Sequence, residues 1–116
     1  MRKDLRGVDL TGANLTNADL YNTDLTNADL TDADLTDADL HDTFGDGKVI
    51  KTIDLPRYTV NIVKSLGVIQ IGCQRHTAEK WFSFGDDEIE DMDDDHGALE
   101  WWREHKQLIK EEYDNA

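Results

Sequence analysis

The sequence predicts a mainly β protein, a solenoid over residues 1–46 followed by a small α+β unit over residues 47–116. Three observations carry that prediction. Leucine stands at every fifth position from Leu5 to Leu40, the formal charge changes sign just past residue 46, and residues 98–113 repeat apolar side chains at helical spacing.

The repeat comes first. Leu5, Leu10, Leu15, Leu20, Leu25, Leu30, Leu35 and Leu40 follow one another without a miss, and each is preceded by Asp or Asn: Asp4, Asp9, Asn14, Asp19, Asp24, Asp29, Asp34 and Asp39. One position earlier the residue is small, as at Ala13, Ala18, Thr23, Ala28, Ala33 and Ala38. A period of five matches neither the 3.6 of a helix nor the 2 of a strand, so the backbone must turn a corner once per repeat. A solenoid meets that requirement.

The unit Ala-(Asp/Asn)-Leu-x-x, over about residues 3–44, resembles the pentapeptide-repeat family. The resemblance implies a right-handed quadrilateral β-helix with four repeats per coil and the leucine pointing inward, hence about two coils here. Lys3 and Val8 depart from the small-residue position, so a frayed or differently capped start is expected. Coils stacked about 4.8 Å apart make so short a stub that its ends need covering, by the second unit or by a second copy of the chain. With residue n beneath n + 20, Asp4 stacks under Asp24, Asp9 under Asp29 and Asp19 under Asp39. At the corners Gly12, Asn17 and Asn22 lie under Asp32, Asp37 and Asp42, so the second coil carries more acid. Asn and Asp suit tight turns almost equally, so aspartate at these corners adds charge for little structural gain; the plainer account is turn chemistry and soluble edges.

The second unit is predicted as an α+β cap. Lys48–Ile53 and Tyr58–Lys64 are β-rich, Pro56 ends the first strand, and the Ser65-Leu66-Gly67 turn signal makes a β-hairpin of Thr59–Lys64 with Val68–Cys73. Thr77 can cap a short helix holding Trp81, Phe82 and Phe84, and Asp86 another through Ile89 and Met92. In the C-terminal amphipathic helix Ala98, Trp101, Trp102, His105, Leu108, Ile109 and Tyr113 form the apolar stripe. Core packing is its default role; Trp101 and Trp102 point about 100° apart, which makes them candidates for an interface, including a homodimer. Residues 69–76 with Trp81 are similar to a segment of small phage and mobile-element pentapeptide-repeat proteins.

The chain has 26 acidic and 12 basic residues, a formal charge of −14, which argues against direct nucleic-acid binding. The charge is −8 over residues 1–46, +4 over 47–84, −8 over 85–95 and −2 over 96–116. With no apolar run of about 18 residues and no signal-peptide core, the expectation is a cytoplasmic protein with no membrane contact. The single cysteine, Cys73, fits a reducing compartment.

Catalytic and metal readings are weak. Cys73 and His76 form a Cys-x-x-His pair with His96 and His105 elsewhere, but a buried structural cysteine is the better reading. No oxyanion-hole motif supports a Cys/His nucleophile. Asp91, Asp93 and Asp95 follow the first spacings of an EF-hand loop, yet His96 stands where glycine is required and Trp102 where a bidentate glutamate is. No cofactor, metal or enzymatic activity is expected.

What remains is an acidic binding surface built from Asp24, Asp29, Asp32, Asp34, Asp37, Asp39 and Asp42 together with Asp86, Asp87, Glu88, Glu90, Asp91, Asp93, Asp94 and Asp95. Duplex DNA offers one negative charge per about 1.7 Å of axis, and some pentapeptide-repeat relatives bind DNA gyrase as DNA mimics. The resemblance therefore implies an inhibitor of a basic, nucleic-acid-binding host protein, a gyrase-like enzyme or a nuclease of anti-phage defence. Two alternatives stand beside it: an assembly protein binding through the aromatic helix, and a small-molecule or nucleotide binder using Lys48, Lys51, Arg57, Lys64, Arg75 and Lys80.

Overall fold

The structure is a computed structural model that describes residues 2–92 and 97–116. In the repeats every parallel pairing joins residues 20 apart. Strand β1 (Lys3–Asp4) pairs with β2 (Thr23–Asp24), and single bridges join Asp9 to Asp29, Asn14 to Asp34, Asp19 to Asp39 and Asp24 to Phe44. Four repeats thus complete one coil, and the stack is of β-helix type. The Leu5, Leu10 and Leu15 amides donate to the carbonyls of Asp24, Asp29 and Asp34 at 2.8–2.9 Å, and the Asp29, Asp34 and Asp39 amides donate back to Val8, Ala13 and Ala18 at 2.9 Å.

Each corner has a local cause. The leucine carbonyl accepts the amide three residues on, as from Ala13 to Leu10 at 3.0 Å. The residue two past each leucine then has positive φ: Gly7, Gly12, Asn17, Asn22, Asn27, Asp32, Asp37 and Asp42 lie between 54° and 70°. Glycine takes that conformation freely, and Asn and Asp more readily than other side chains. The start is not frayed as expected: Lys3 donates to the Asn22 carbonyl at 2.9 Å, because its exposed side chain points outward and leaves the ladder intact.

The cap contains a four-stranded antiparallel sheet in chain order, β3 (Lys51–Asp54), β4 (Thr59–Val63), β5 (Val68–Ile71) and β6 (Gln74–Thr77). The expected β4–β5 hairpin is present, joined by a 3-10 turn over Lys64–Leu66. Strand β6 was not expected. The chain reverses at Gly72, whose φ is +53°, so Cys73 lies in a turn and not at the end of β5. Helices α1 (Ala78–Ser83), α2 (Asp86–Glu90) and α3 (Ala98–Asp114) follow. The Thr77 hydroxyl caps α1 by accepting from the Lys80 amide at 3.2 Å, whereas α2 is capped by Gly85 and Asp86 is already its first residue.

All five residues of β4 and all four of β5 are buried, since both sheet faces are covered. Alternation along the strands sends Val60, Ile62, Ile69 and Ile71 towards the helices, where Trp81, Trp101, Trp102 and Ile109 complete one core. Val63 and Val68 face the other way and join Ile50 and the solenoid leucines in a second core. The order is solenoid, sheet, helices. Leu20, Leu25, Leu30, Leu35 and Leu40 are at most 5% exposed, while Leu5, Leu10 and Leu15, on the side away from the sheet, are only partly buried. Gly45 starts the crossing into the cap and can only be glycine, because a Cβ would sit 2.3 Å from the Ile50 carbonyl oxygen.

Candidate functional site

The acids of the solenoid fall into two groups with different chemistry. Those preceding the leucines close local turns: the Oδ1 atoms of Asp9, Asn14, Asp19, Asp24, Asp29, Asp34 and Asp39 each accept the amide two residues on at 3.0–3.1 Å. Where that residue is Thr26, Thr31 or Thr36 the hydroxyl donates to the same oxygen, at 2.7 Å for Thr31 and 2.6 Å for Thr36. The hydroxyl bond, followed by the amide bond, lowers the pKa of Asp24, Asp29 and Asp34. The same pair of bonds from Thr11 lowers that of Asp9, outweighing repulsion from the stacked Asp29. Asp4 falls to about 2, chiefly through the side-chain bond from Arg6. Like-charge stacking is thus present, as the register requires, and turn hydrogen bonding outweighs it.

The corner acids Asp32, Asp37 and Asp42 project where φ is positive. Asp37 meets the Arg75 guanidinium at 3.4 Å and Asp42 lies 3.5 Å from the His41 imidazole. With four repeats to a coil, the seven acids are spread along the whole of the second coil. Asp39 is drawn into the cap as well, accepting from Gln70 Nε2 at 2.8 Å. Asp29 also comes near the cap, where the Lys48 charge adds to the lowering of its pKa and Lys48 and Val49 border a recess with it.

Two polar residues unforeseen from sequence hold the acidic coil to the sheet. Asn61, 1% exposed, donates through Nδ2 to the Leu40 carbonyl at 2.8 Å and the Thr43 carbonyl at 2.9 Å, and accepts from the Thr52 hydroxyl. Gln70, 3% exposed, accepts the Leu40 amide through Oε1. They pair directly across β4 and β5, so together they satisfy part of the edge that a third coil would have taken. Their signal was available: each is a lone amide inside an apolar run, Val60-Asn61-Ile62 and Ile69-Gln70-Ile71. Buried polar groups in such places need partners.

The second acidic group is less concentrated than its sequence. Asp86 pairs with Arg103 at 2.6 Å, Glu88 Oε1 accepts the Gly85 amide at 3.2 Å, and Asp87, Glu90 and Asp91 are exposed. Asp93, Asp94, Asp95 and His96 lie outside the described residues. Trp101 and Trp102 are 7% and 4% exposed, which corrects the expectation that one of them stays free for a partner. Trp101 donates to the Pro56 carbonyl and meets Tyr58 edge-on, and Trp102 stacks on Phe82 beside Trp81.

Cys73 is exposed, not buried as expected. His76 packs edge-on against Trp81 and Phe84, with its pKa lowered by burial and then by Lys80, and His105 Nδ1 lies 2.8 Å from the Trp101 carbonyl. Among the described residues no three His, Cys, Asp or Glu side chains converge on a metal position. The cap's basic residues mostly meet partners: Lys51 with Glu112, Arg75 with Asp37, and Lys64 with the Tyr113 carbonyl and ring. A cleft of about 490 Å³ lies between the solenoid corner at His41–Asp42 and the cap, bordered by Arg57, Tyr58, Cys73 and Trp101. No helix among the described residues is long and apolar enough to cross a membrane.

Residues 4–42 match the family model for pentapeptide repeats, in eight copies. No curated protein and no solved structure matches the chain.

Proposed function

Taking as premise that residues 4–42 make this a pentapeptide-repeat protein, a class of structural and interaction modules in general without enzymatic activity, we propose that it inhibits a basic, nucleic-acid-binding protein by imitating DNA. Residues 1–46, read as right-handed, four-sided coils, carry the recognition surface, and residues 47–116 cap and hold it. The cytoplasm is where the protein and its partner meet.

One observation carries the reading: residues 22–42 contain seven aspartates and no basic residue, all within one coil of the solenoid. Aspartates are charged at neutral pH in any case, and the lowered pKa values of Asp24, Asp29 and Asp34 extend that charge into more acidic solution. A partner approaching the corner at Asp32 meets Asp29 and Asp34 on the adjoining sides, and these three are its central contacts. Two coils span only about 10 Å by strand spacing, so the footprint is short and the target groove is correspondingly small. The exposed acids of α2, Asp87 and Glu90, extend it only if the partner also reaches the cap.

The test is capture from host-cell lysate with identification by mass spectrometry, using the wild type beside a variant carrying Asp29→Asn, Asp32→Asn and Asp34→Asn. Asn14 and Asn27 already occupy equivalent positions, so the variant keeps the turns. Expected is a nucleic-acid-binding protein that the wild type retains at low salt, that physiological salt or added duplex DNA releases, and that the variant loses at least tenfold. Capture indifferent to salt, DNA and substitution sinks the reading.

A further inference from the structure

We propose that the open end of the first coil is a self-association surface whose occupant is the same end of a second copy. The two ends of the solenoid are treated differently. At the sheet side, Val63, Val68 and Ile50 cover the leucines, and Asn61 and Gln70 satisfy part of the backbone edge, at Leu40 and Thr43. At the other end Leu5, Leu10 and Leu15 are the core leucines left partly exposed. Among the described residues the amides and carbonyls of Asp9, Asn14 and Asp19 have no hydrogen-bond partner, since all three face away from the second coil. An edge of that kind is a template for another strand.

Charge says which strand fits. The chain carries −14, so two copies repel unless they meet where the charge is absent. Residues 2–21 come nearest to that: Lys3 and Arg6 stand against Asp4, Asp9 and Asp19, the Arg2 guanidinium being turned to the Asp42 carbonyl and the Phe44 ring, while residues 22–42 carry −7. Arg6 holds Asp4 at 2.9 Å within the coil. Two coil ends related by a twofold axis perpendicular to the stack run antiparallel where they meet, so free amides on one copy face free carbonyls on the other, in an isologous contact. About twenty residues contribute on each side, the lower limit of a standard interface, and the association is accordingly weak. It also places the two acidic coils at the outer flanks of a four-coil stack, away from each other.

The experiment uses the full chain in analytical ultracentrifugation and amide hydrogen exchange, each across protein concentration and at low and high salt. Expected is a mass rising from 13.2 kDa towards twice that value as concentration and salt rise, because salt screens the repulsion. The Asp9, Asn14 and Asp19 amides should slow at least tenfold over the same range, while those of Asp29, Asp34 and Asp39 stay protected throughout. Ala13→Lys places a charge at the open rim, at a repeat position where Lys3 already shows that lysine is accommodated, and should abolish both changes without altering the melt. A chain that stays monomeric in high salt overturns the proposal. So does a dimer whose new protection lies elsewhere, and if Ala13→Lys does not fold, the wild-type exchange data decide alone. Partner binding through the acidic coil weakens with salt whereas this contact strengthens, so the two readings fail separately.

Discussion

Threonines two residues past the ladder aspartates set the titration of the coil. Their hydroxyls and amides bind only the ionised carboxylate well, which is why Asp9, Asp24, Asp29 and Asp34 have folded pKa values below the ordinary 3.8. A carboxylate depressed in this way contributes stability that is present above its unfolded pKa and is lost as pH falls through the folded one. The solenoid should therefore weaken as pH drops from about 4 towards 2. His76, lowered from 6.5, adds an earlier loss as pH falls below that value, since the unfolded imidazole protonates first. Thr31→Val should return Asp29 towards an ordinary carboxylate pKa in an NMR titration and leave Asp34 unchanged; no movement at Asp29 would remove the hydroxyl from the account. The Asp-x-Thr spacing and the stacking of the aspartates are legible in sequence, but repulsion between stacked acids and local hydrogen bonding compete, and only geometry shows which is larger.

Between repeats the deciding quantity is backbone φ. The corner residues run from glycine through asparagine to aspartate along the chain, and all occupy the left-handed region. A β-branched side chain there costs about 1–2 kcal/mol, whereas glycine is compatible. Asn27→Val should lower the unfolding free energy by about 1–2 kcal/mol in urea melts, and Asn27→Gly by a few tenths; equal effects would mean that the asparagine side chain, not its conformation, matters. The repeat length, the inward leucines and the terminal helix were readable because each is a period. Strand β6 was not, because Gln74-Arg75-His76-Thr77 is polar and edge-facing, and a strand held mainly by its neighbour's hydrogen bonds leaves little hydrophobic pattern. The burial of both Trp101 and Trp102 was missed for a related reason. Two residues 100° apart on α3 are both covered when α1, α2 and the β3–β4 connection wrap more than one face of the helix.

Over the whole molecule, the solenoid and the cap complete each other's cores. Five buried leucines and two alanines form most of the solenoid interior, and Ile50, Val63 and Val68 close it. At about 1.5–3 kcal/mol for each large apolar side chain fully buried, removing that cover costs the solenoid much of its apolar stabilisation. The loss falls on top of the entropy of ordering each residue, about 1–2 kcal/mol for the backbone alone. It also strips Asn61 and Gln70 from the Leu40 amide and the Leu40 and Thr43 carbonyls, exposing a second open edge. A peptide of residues 1–46 should therefore show no cooperative melt by circular dichroism, while the full chain unfolds in one transition that moves the signals of both cores together. The composition boundary at residue 46 marks a change in construction without marking independent stability: charge and periodicity change abruptly along the chain, but the central strands β4 and β5 of the second unit are buried on both faces, and one of those faces packs on the first unit. An autonomous melt of residues 1–46 would mean that two coils of leucine and turn hydrogen bonds suffice, and the sheet would then be an attachment to a solenoid already folded.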